Sequence, residues 1–206
     1  YEIDDKNTRM FFIENSELTK EPWIFLNQLD KKINNRIKSF EKLSSDKITK
    51  RIFQGLNTGA DPIFILKLID NGEKTIKAFS KLLNKYVVLE NDMIRPLLKG
   101  ADIKKWDVTN YDEIIIFPYH IKHDKAFLIE EENLKAKYPK TYDYLLQTKS
   151  KLESREHGKW KGVSNWYAFG RKSNIEQFDQ DKILIQFLAN SATFALDRGG
   201  NVLFVG

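Results

Sequence analysis

The spacing His120-x-x-His123 places two imidazoles where one helical turn would let them share a metal ion. The pair follows Phe117-Pro118, which points to a strand end, and no third ligand stands at a fixed spacing, so a polar loop is the expected setting. Asp92 together with Asp102-Ile103-Lys104 imitates the acidic-x-Lys pattern by which nucleases hold a metal and activate water. Lys99-Gly100-Ala101 before it is not the apolar strand that rigid carboxylates need, and a structural role is expected there. Neither a Gly-x-Ser-x-Gly elbow nor a Ser-x-x-Lys pair stands in a fitting context, and the phosphate-loop and dinucleotide fingerprints are absent. Cysteine is also absent, which removes disulfides, thiolate metal sites and cysteine nucleophiles together and suits a reducing cytoplasm.

Asp61-Pro62-Ile63-Phe64 is close to the Asp/Asn-Pro-Pro-Tyr/Phe loop by which amino-methyltransferases hold an extruded base. Ile63 replaces the second proline, and no Gly-rich strand-to-helix turn for a methyl donor precedes it, so no methyltransferase active site is expected here.

The positive charge is concentrated in one stretch. Over residues 140–172 eight basic residues (Lys140, Lys149, Lys151, Arg155, Lys159, Lys161, Arg171, Lys172) face three acidic ones (Asp143, Glu153, Glu156), an excess equal to the whole chain's net charge of +5. Tyr142, Tyr144, Trp160, Trp166, Tyr167 and Phe169 interleave with them, and cations mixed with rings suit a polyanion that carries stackable bases. The same pattern fits a solvated helix face followed by core aromatics.

The elements that must position these residues are read from hydrophobic period and turn chemistry. Apolar positions Leu26, Leu29, Ile33, Ile37 and Phe40 predict one long amphipathic helix over 22–43, opened by Pro22 and closed by Ser44-Ser45-Asp46. Strands are predicted over 50–53 and 62–68 around the turn-forming stretch 55–61, with Asp70-Asn71-Gly72 as a hairpin turn, and again over 86–90, 113–117, 182–187, 193–196 and 202–204. Helices are predicted over 91–98, where Pro96 limits the element, over 133–137, and over 140–157 with Gly158 as its cap. Strands and helices do not alternate regularly. The expected fold is α+β: a mixed, mostly antiparallel sheet with flanking helices and a long helical N-terminal extension. With 206 residues, 41% hydrophobic and 31% charged, the chain can bury a core, and no run of about 18 apolar residues or secretion signal argues for a membrane. It starts without Met and stops inside the apolar run 202–206, so a fragment of a longer protein is expected.

Several segments then resemble, in order, the TaqI-like C-terminal specificity domain. The stretch 52–65, with Gly55, Thr58, Gly59 and Phe64, is similar to that family's "Ile-x-x-Gly-x-x-Thr-Gly-x-Asn-x-Ala-Phe" opening, with Asp61 where Asn is usual. Pro96-Leu97-Leu98, Gly100, Asp102-Ile103 and Trp106 resemble its next segment, 113–119 its following strand, and Tyr138-Pro139, Tyr144-Leu145, Leu152 and Arg155 its "Tyr-Pro … Tyr-Leu … Leu-x-x-Arg" pattern. Trp166-Tyr167, Arg171, 182–184 and 194–197 complete the order.

The resemblance implies a non-catalytic target-recognition (specificity) domain over residues 47–206, truncated at its C-terminus, with residues 1–46 as a helical spacer. Its implied partners are double-stranded DNA and an N-terminal methyltransferase domain of the same bacterial, cytoplasmic, monomeric parent, an adenine-N6 methyltransferase or type IIG-like restriction enzyme serving phage defence. S-adenosylmethionine, and Mg²⁺ where the parent also cleaves, would belong to that parent, leaving this fragment without cofactor or metal. The DNA-binding candidates are Lys149, Lys151, Lys159 and Lys161 on phosphates; Arg155 and Arg171, whose planar forks suit guanine or phosphate; Lys172; and Trp160 and Tyr167, which would stack on DNA or sit in the core. Arg155 belongs to a pattern shared across target sites, which favours a structural or backbone role over base readout. Gly55, Thr58 and Gly59 are expected to shape a turn, with Thr58 bonding local backbone or a phosphate oxygen. Two alternatives stay open: a metal-dependent nuclease using Asp92, Asp102 and Lys104, and a protein-interaction module that docks through the helix over 22–43.

Overall fold

The computed structural model describes residues 3–4, 9–10, 12–18, 20, 23, 25–106, 111–188 and 191–205. The chain divides into two units, Tyr1–Ile52 and Phe53–Gly206.

The first unit holds a two-residue strand pair, β1 (Ile3–Asp4) with β2 (Arg9–Met10), and one helix, α1 (Gln28–Lys38). The long helical extension expected over 22–43 is therefore corrected to 11 residues followed by turns, and Pro22 lies outside the described residues. Capping chemistry overrides the apolar spacing. Asn27 accepts the Asp30 N–H at 2.8 Å and fixes the first turn, while the Ser39 hydroxyl donates to the Arg36 carbonyl at 2.7 Å and closes the last. No residue of α1 is buried, so Leu29, Ile33 and Ile37 stand exposed along it.

The second unit runs α2 (Asp61–Phe64), β3 (Ile65–Asn71), β4 (Thr75–Ser80), β5 (Lys85–Glu90), β6 (Ile94–Lys99), β7 (Glu113–Ile116), β8 (Tyr119–Lys122), β9 (Lys125–Leu128), α3 (Glu131–Lys137), α4 (Pro139–Gln147), α5 (Lys149–Glu153), α6 (Arg155–Gly158), β10 (Lys182–Ile185), β11 (Phe194–Asp197) and β12 (Leu203–Val205). Six strands form one sheet in the order β12-β6-β7-β3-β4-β5, antiparallel except where β12 lies parallel to β6. This is the α+β fold with a mixed, mostly antiparallel sheet that the pattern predicts. β8–β9 and β10–β11 are separate hairpins.

Alternation along β4 and β5 sends Ile76, Ala78, Val87 and Leu89 to one face, where α4 covers them. Tyr144 on α4 anchors the cover: its hydroxyl donates to the Ile63 carbonyl at 2.8 Å and lies 3.2 Å from the Ser80 hydroxyl. Glu90, at the end of β5, caps α4 by accepting the N–H groups of Lys140 and Thr141 at 2.9 Å each and the Thr141 hydroxyl at 2.7 Å. Burial raises the Glu90 pKa, but those hydrogen bonds outweigh it and hold the carboxyl below its usual value. At the opposite end Lys182 pairs with buried Asp197, which also accepts the N–H groups of Asn201 at 3.0 Å and Val202 at 3.1 Å and so turns the chain into β12.

Four element assignments are corrected. The strand expected over 50–53 is absent, its residues being a bend and irregular chain, and the strand expected over 62–68 begins only at Ile65, because Asp61 and Pro62 open a helical turn instead. The helix expected over 91–98 is one 3-10 turn, Asn91–Met93, followed by β6. Pro96 is tolerated in β6 because β12 pairs only with Leu97 to Lys99, leaving the proline beside an open edge. The helix expected over 140–157 breaks at Thr148, whose hydroxyl folds back onto the Leu145 carbonyl at 2.9 Å, and again after Ser154. His120 lies on β8, and His123 and Asp124 (φ +48° and +54°) form the two-residue turn to β9, the left-handed geometry that tight hairpins need.

Candidate nucleic-acid interface

Arg155 holds the basic stretch together. Its Nε donates to the Leu152 carbonyl at 2.8 Å, Nη1 to Thr58 at 3.2 Å and Ala168 at 2.9 Å, and Nη2 to Trp166 at 2.7 Å. One guanidinium thus ties α5, the loop before α2 and the loop over 163–170 to each other, using the five-donor fork that only arginine offers. Burial lowers its pKa, an effect that Tyr119 and Glu156 oppose, yet guanidinium keeps its charge at any ordinary pH. The plane of Arg155 also covers the Trp160 ring at 4.3 Å. Both residues are half-buried.

The 55–60 loop is built from its own side chains. Thr58 is buried, donates its hydroxyl to the Asp61 carboxylate and accepts the Ala60 N–H at 2.9 Å, while Asn57 accepts the Gly59 N–H at 3.1 Å. Of the two partners open for Thr58, local backbone or a phosphate oxygen, its buried hydroxyl takes the first through the Ala60 N–H. Gly59 takes the left-handed φ of +67° that the turn requires, and its backbone crosses that of Gly170 so closely that a Cβ on Gly170 would press to 3.2 Å on the Gly59 Cα. Gly170 N–H donates to the Thr58 carbonyl at 2.8 Å and Arg171 N–H to the Asn57 carbonyl at 3.2 Å. Gly55 precedes Leu56, whose N–H donates to Phe204 of β12 at 2.8 Å. Asn57, Thr58 and Gly59 therefore meet the chain at Gly170 and Arg171 directly and help to set its path.

Beneath them the aromatic residues form a core. Trp166 and Tyr167 are each 1% exposed. Trp166 Nε1 donates to Glu131 at 3.2 Å, the Tyr167 hydroxyl donates to the Ile129 carbonyl, and Tyr119 accepts the Phe169 N–H at 2.7 Å. Burial pushes the hydroxyls of Tyr119 and Tyr167 up to about 12 each. Of the two settings open for Tyr167, stacking on DNA or the core, the structure shows the core.

The remaining candidates point outward. Lys151, Lys159, Lys161, Arg171 and Lys172 are exposed, and Lys149 is half-buried with its ammonium 4.8 Å from the Trp166 ring. Lys159 pairs at 3.4 Å with Glu156 across open solvent, a contact worth little. Lys151, Lys161, Arg171 and Lys172 make no ion pair with a carboxylate among the described residues. Lys151 is on α5, whose Leu152 carbonyl Arg155 binds, Lys161 is on a turn, and Arg171 and Lys172 follow Gly170 in irregular chain. Sequence reasoning missed Gly170 and Asn57; the signal available was a glycine between buried Phe169 and a basic residue.

The nuclease-like set is not gathered into a site. Asp92 lies in the 3-10 turn after β5, Asp102 turns back to accept the Lys99 N–H at 2.9 Å, and Lys104 is exposed. Among the described residues no group of three or more His, Asp or Glu is placed to hold a metal, and no helix is long and apolar enough to cross a membrane.

No family model matches the chain. Over 208 residues it is 23% identical to the type II restriction enzyme and methyltransferase RM.Eco57I of Escherichia coli, a match that takes in 95% of this chain and 20% of that protein. The chain is similar to part of a restriction-modification protein and spans about a fifth of that relative's length.

Proposed function

We propose that the second unit is a double-stranded DNA target-recognition domain of the TaqI-like specificity type, and that the first serves as a spacer toward a methyltransferase domain of the same parent chain. The observation that carries this reading is the set Lys151, Lys161, Arg171 and Lys172: exposed, without a carboxylate partner among the described residues, and borne on α5 and on chain flanking the segment whose Trp166 and Ala168 carbonyls Arg155 binds. Phosphates attract such cations, and a rigid backbone gives them a register on the duplex. Arg171, whose backbone is pinned to Asn57, is the residue best suited to reach a guanine edge. The similarity to a restriction enzyme and methyltransferase supports the reading, in which a monomeric parent supplies S-adenosylmethionine, and Mg²⁺ if it cleaves.

Fluorescence anisotropy with labelled duplex DNA at several salt concentrations tests it. Binding should weaken linearly on a log–log plot with a slope of about 0.9 per phosphate contacted. Reversing Lys151, Lys161, Arg171 and Lys172 to Glu should abolish it. Failure to bind at low salt, or a slope near zero, overturns the reading.

A further inference from the structure

The sheet is covered on both faces near β6 and β7 but extends past that cover through β4 and β5. Register puts Lys67 of β3, Phe79 of β4 and Tyr86 of β5 side by side on the uncovered face, with Asp70, Lys77 and Val88 forming the next row. Tyr86 is 60% exposed and Val88 45%, and the bulged Ile69 beside them is 44% exposed. The Phe79 and Tyr86 rings meet edge to face at 5.4 Å, and the Lys77 ammonium lies 4.9 Å from the Tyr86 ring. Large apolar groups gathered on an open sheet face are uncommon unless something binds there.

From this arrangement we infer that the outer face of β3, β4 and β5 is a stacking platform for single-stranded nucleic acid. The rings supply π-faces for bases, Ile69 and Val88 flank them, and Lys67 beside Phe79 and Lys77 beside Tyr86 stand where phosphates would run. Two strand spacings, about 10 Å, separate Lys67 from Tyr86, room for a few stacked nucleotides. Charge decides between occupants. The face carries Lys67, Lys77 and Lys81 against Asp70 and Glu113, and Glu113 is already engaged by Lys81 at 3.2 Å and by Lys99. A dry protein interface excludes lysines from its centre, whereas a polyanion neutralises them. Lys77 leaves the Tyr86 ring when a base arrives, because an exposed cation–π contact is weaker than base stacking and a phosphate offers the ammonium a better partner.

The platform does not depend on the duplex reading, and its test separates the two. Anisotropy of a short labelled oligothymidylate, which forms no duplex, should show salt-dependent binding to the full chain. Tyr86→Ala should weaken it about tenfold or more, and Tyr86→Trp should retain it. Lys67→Glu combined with Lys77→Glu should abolish it, while reversing Lys151, Lys161, Arg171 and Lys172 should leave most of it. Tyr86 is exposed, so an unchanged thermal melt of Tyr86→Ala shows that the fold is intact. No binding, or binding indifferent to Tyr86→Ala, overturns the inference. Concentration-dependent self-association that Tyr86→Ala abolishes, without oligothymidylate binding, also overturns it and makes the face a contact between copies.

Discussion

Gly59 and Gly170 meet backbone to backbone, so that a Cβ on Gly170 would stand 3.2 Å from the Gly59 Cα and 3.3 Å from its nitrogen. Backbone cannot swing aside as a flexible side chain can. Gly170→Ala should therefore cost about 1–3 kcal/mol, the usual range for overpacking a tight site. Urea denaturation of the variant checks this, and an unchanged midpoint would mean that the crossing is looser than described.

Arg155 should resist conservative replacement. A lysine ammonium cannot reach carbonyls at residues 58, 152, 166 and 168 together. Arg155→Lys and Arg155→Ala should each lose about 2–4 kcal/mol of stability, since charge-assisted bonds vanish and buried carbonyls lose partners. Wild-type stability in Arg155→Lys would show that charge, not the fork, is what matters.

Tyr167→Phe separates core from surface. Removing the hydroxyl that bonds the Ile129 carbonyl should cost about 1–3 kcal/mol in a urea melt. Duplex affinity should stay within error. A selective loss of DNA binding with stability intact would return Tyr167 to the interface.

Stability should fall in acid. Glu90 and Glu113 are held below their usual carboxyl values, Glu113 because the hydrogen bonds and charges of Lys99 and Lys81 outweigh the upward push of burial. A carboxylate with a depressed folded-state pKa binds fewer protons when folded, so its contribution is complete above the unfolded value of about 4.3 and disappears as pH drops through the folded one. Melting temperatures measured from neutral pH downward should decline below that point, and Glu90→Gln should flatten the decline. The same slope in Glu90→Gln would remove Glu90 from the account.

The readable part of the fold was its short apolar runs. β5, β7, β10 and β11 coincide with runs rich in Val, Ile and Phe, whereas Asp70 and Asn71 of the expected hairpin turn still pair with β4 and the loop falls at 72–74. β6 was misread because Leu97 and Leu98 with Ile94 imitate a helical stripe, and only the tertiary fact that β12 stops short of Pro96 makes a strand acceptable there. Thr148 and Ser154 broke a helix through hydroxyl bonds to backbone that periodicity does not register. In the site, the clustering of Lys and Arg was visible along the chain. The hub role of Arg155 was not, because it joins Thr58 to Ala168 across 97 and 13 residues of sequence. For Trp160, Trp166 and Tyr167 composition could not choose between core and surface, since a ring with one polar atom suits both until its partner is known.

The Leu56 N–H donates to the Phe204 carbonyl, and Leu56 also bridges Val205 beside it. The margin of β12 that faces away from β6 is therefore occupied there by the protein's own chain, which closes it to pairing with a foreign strand.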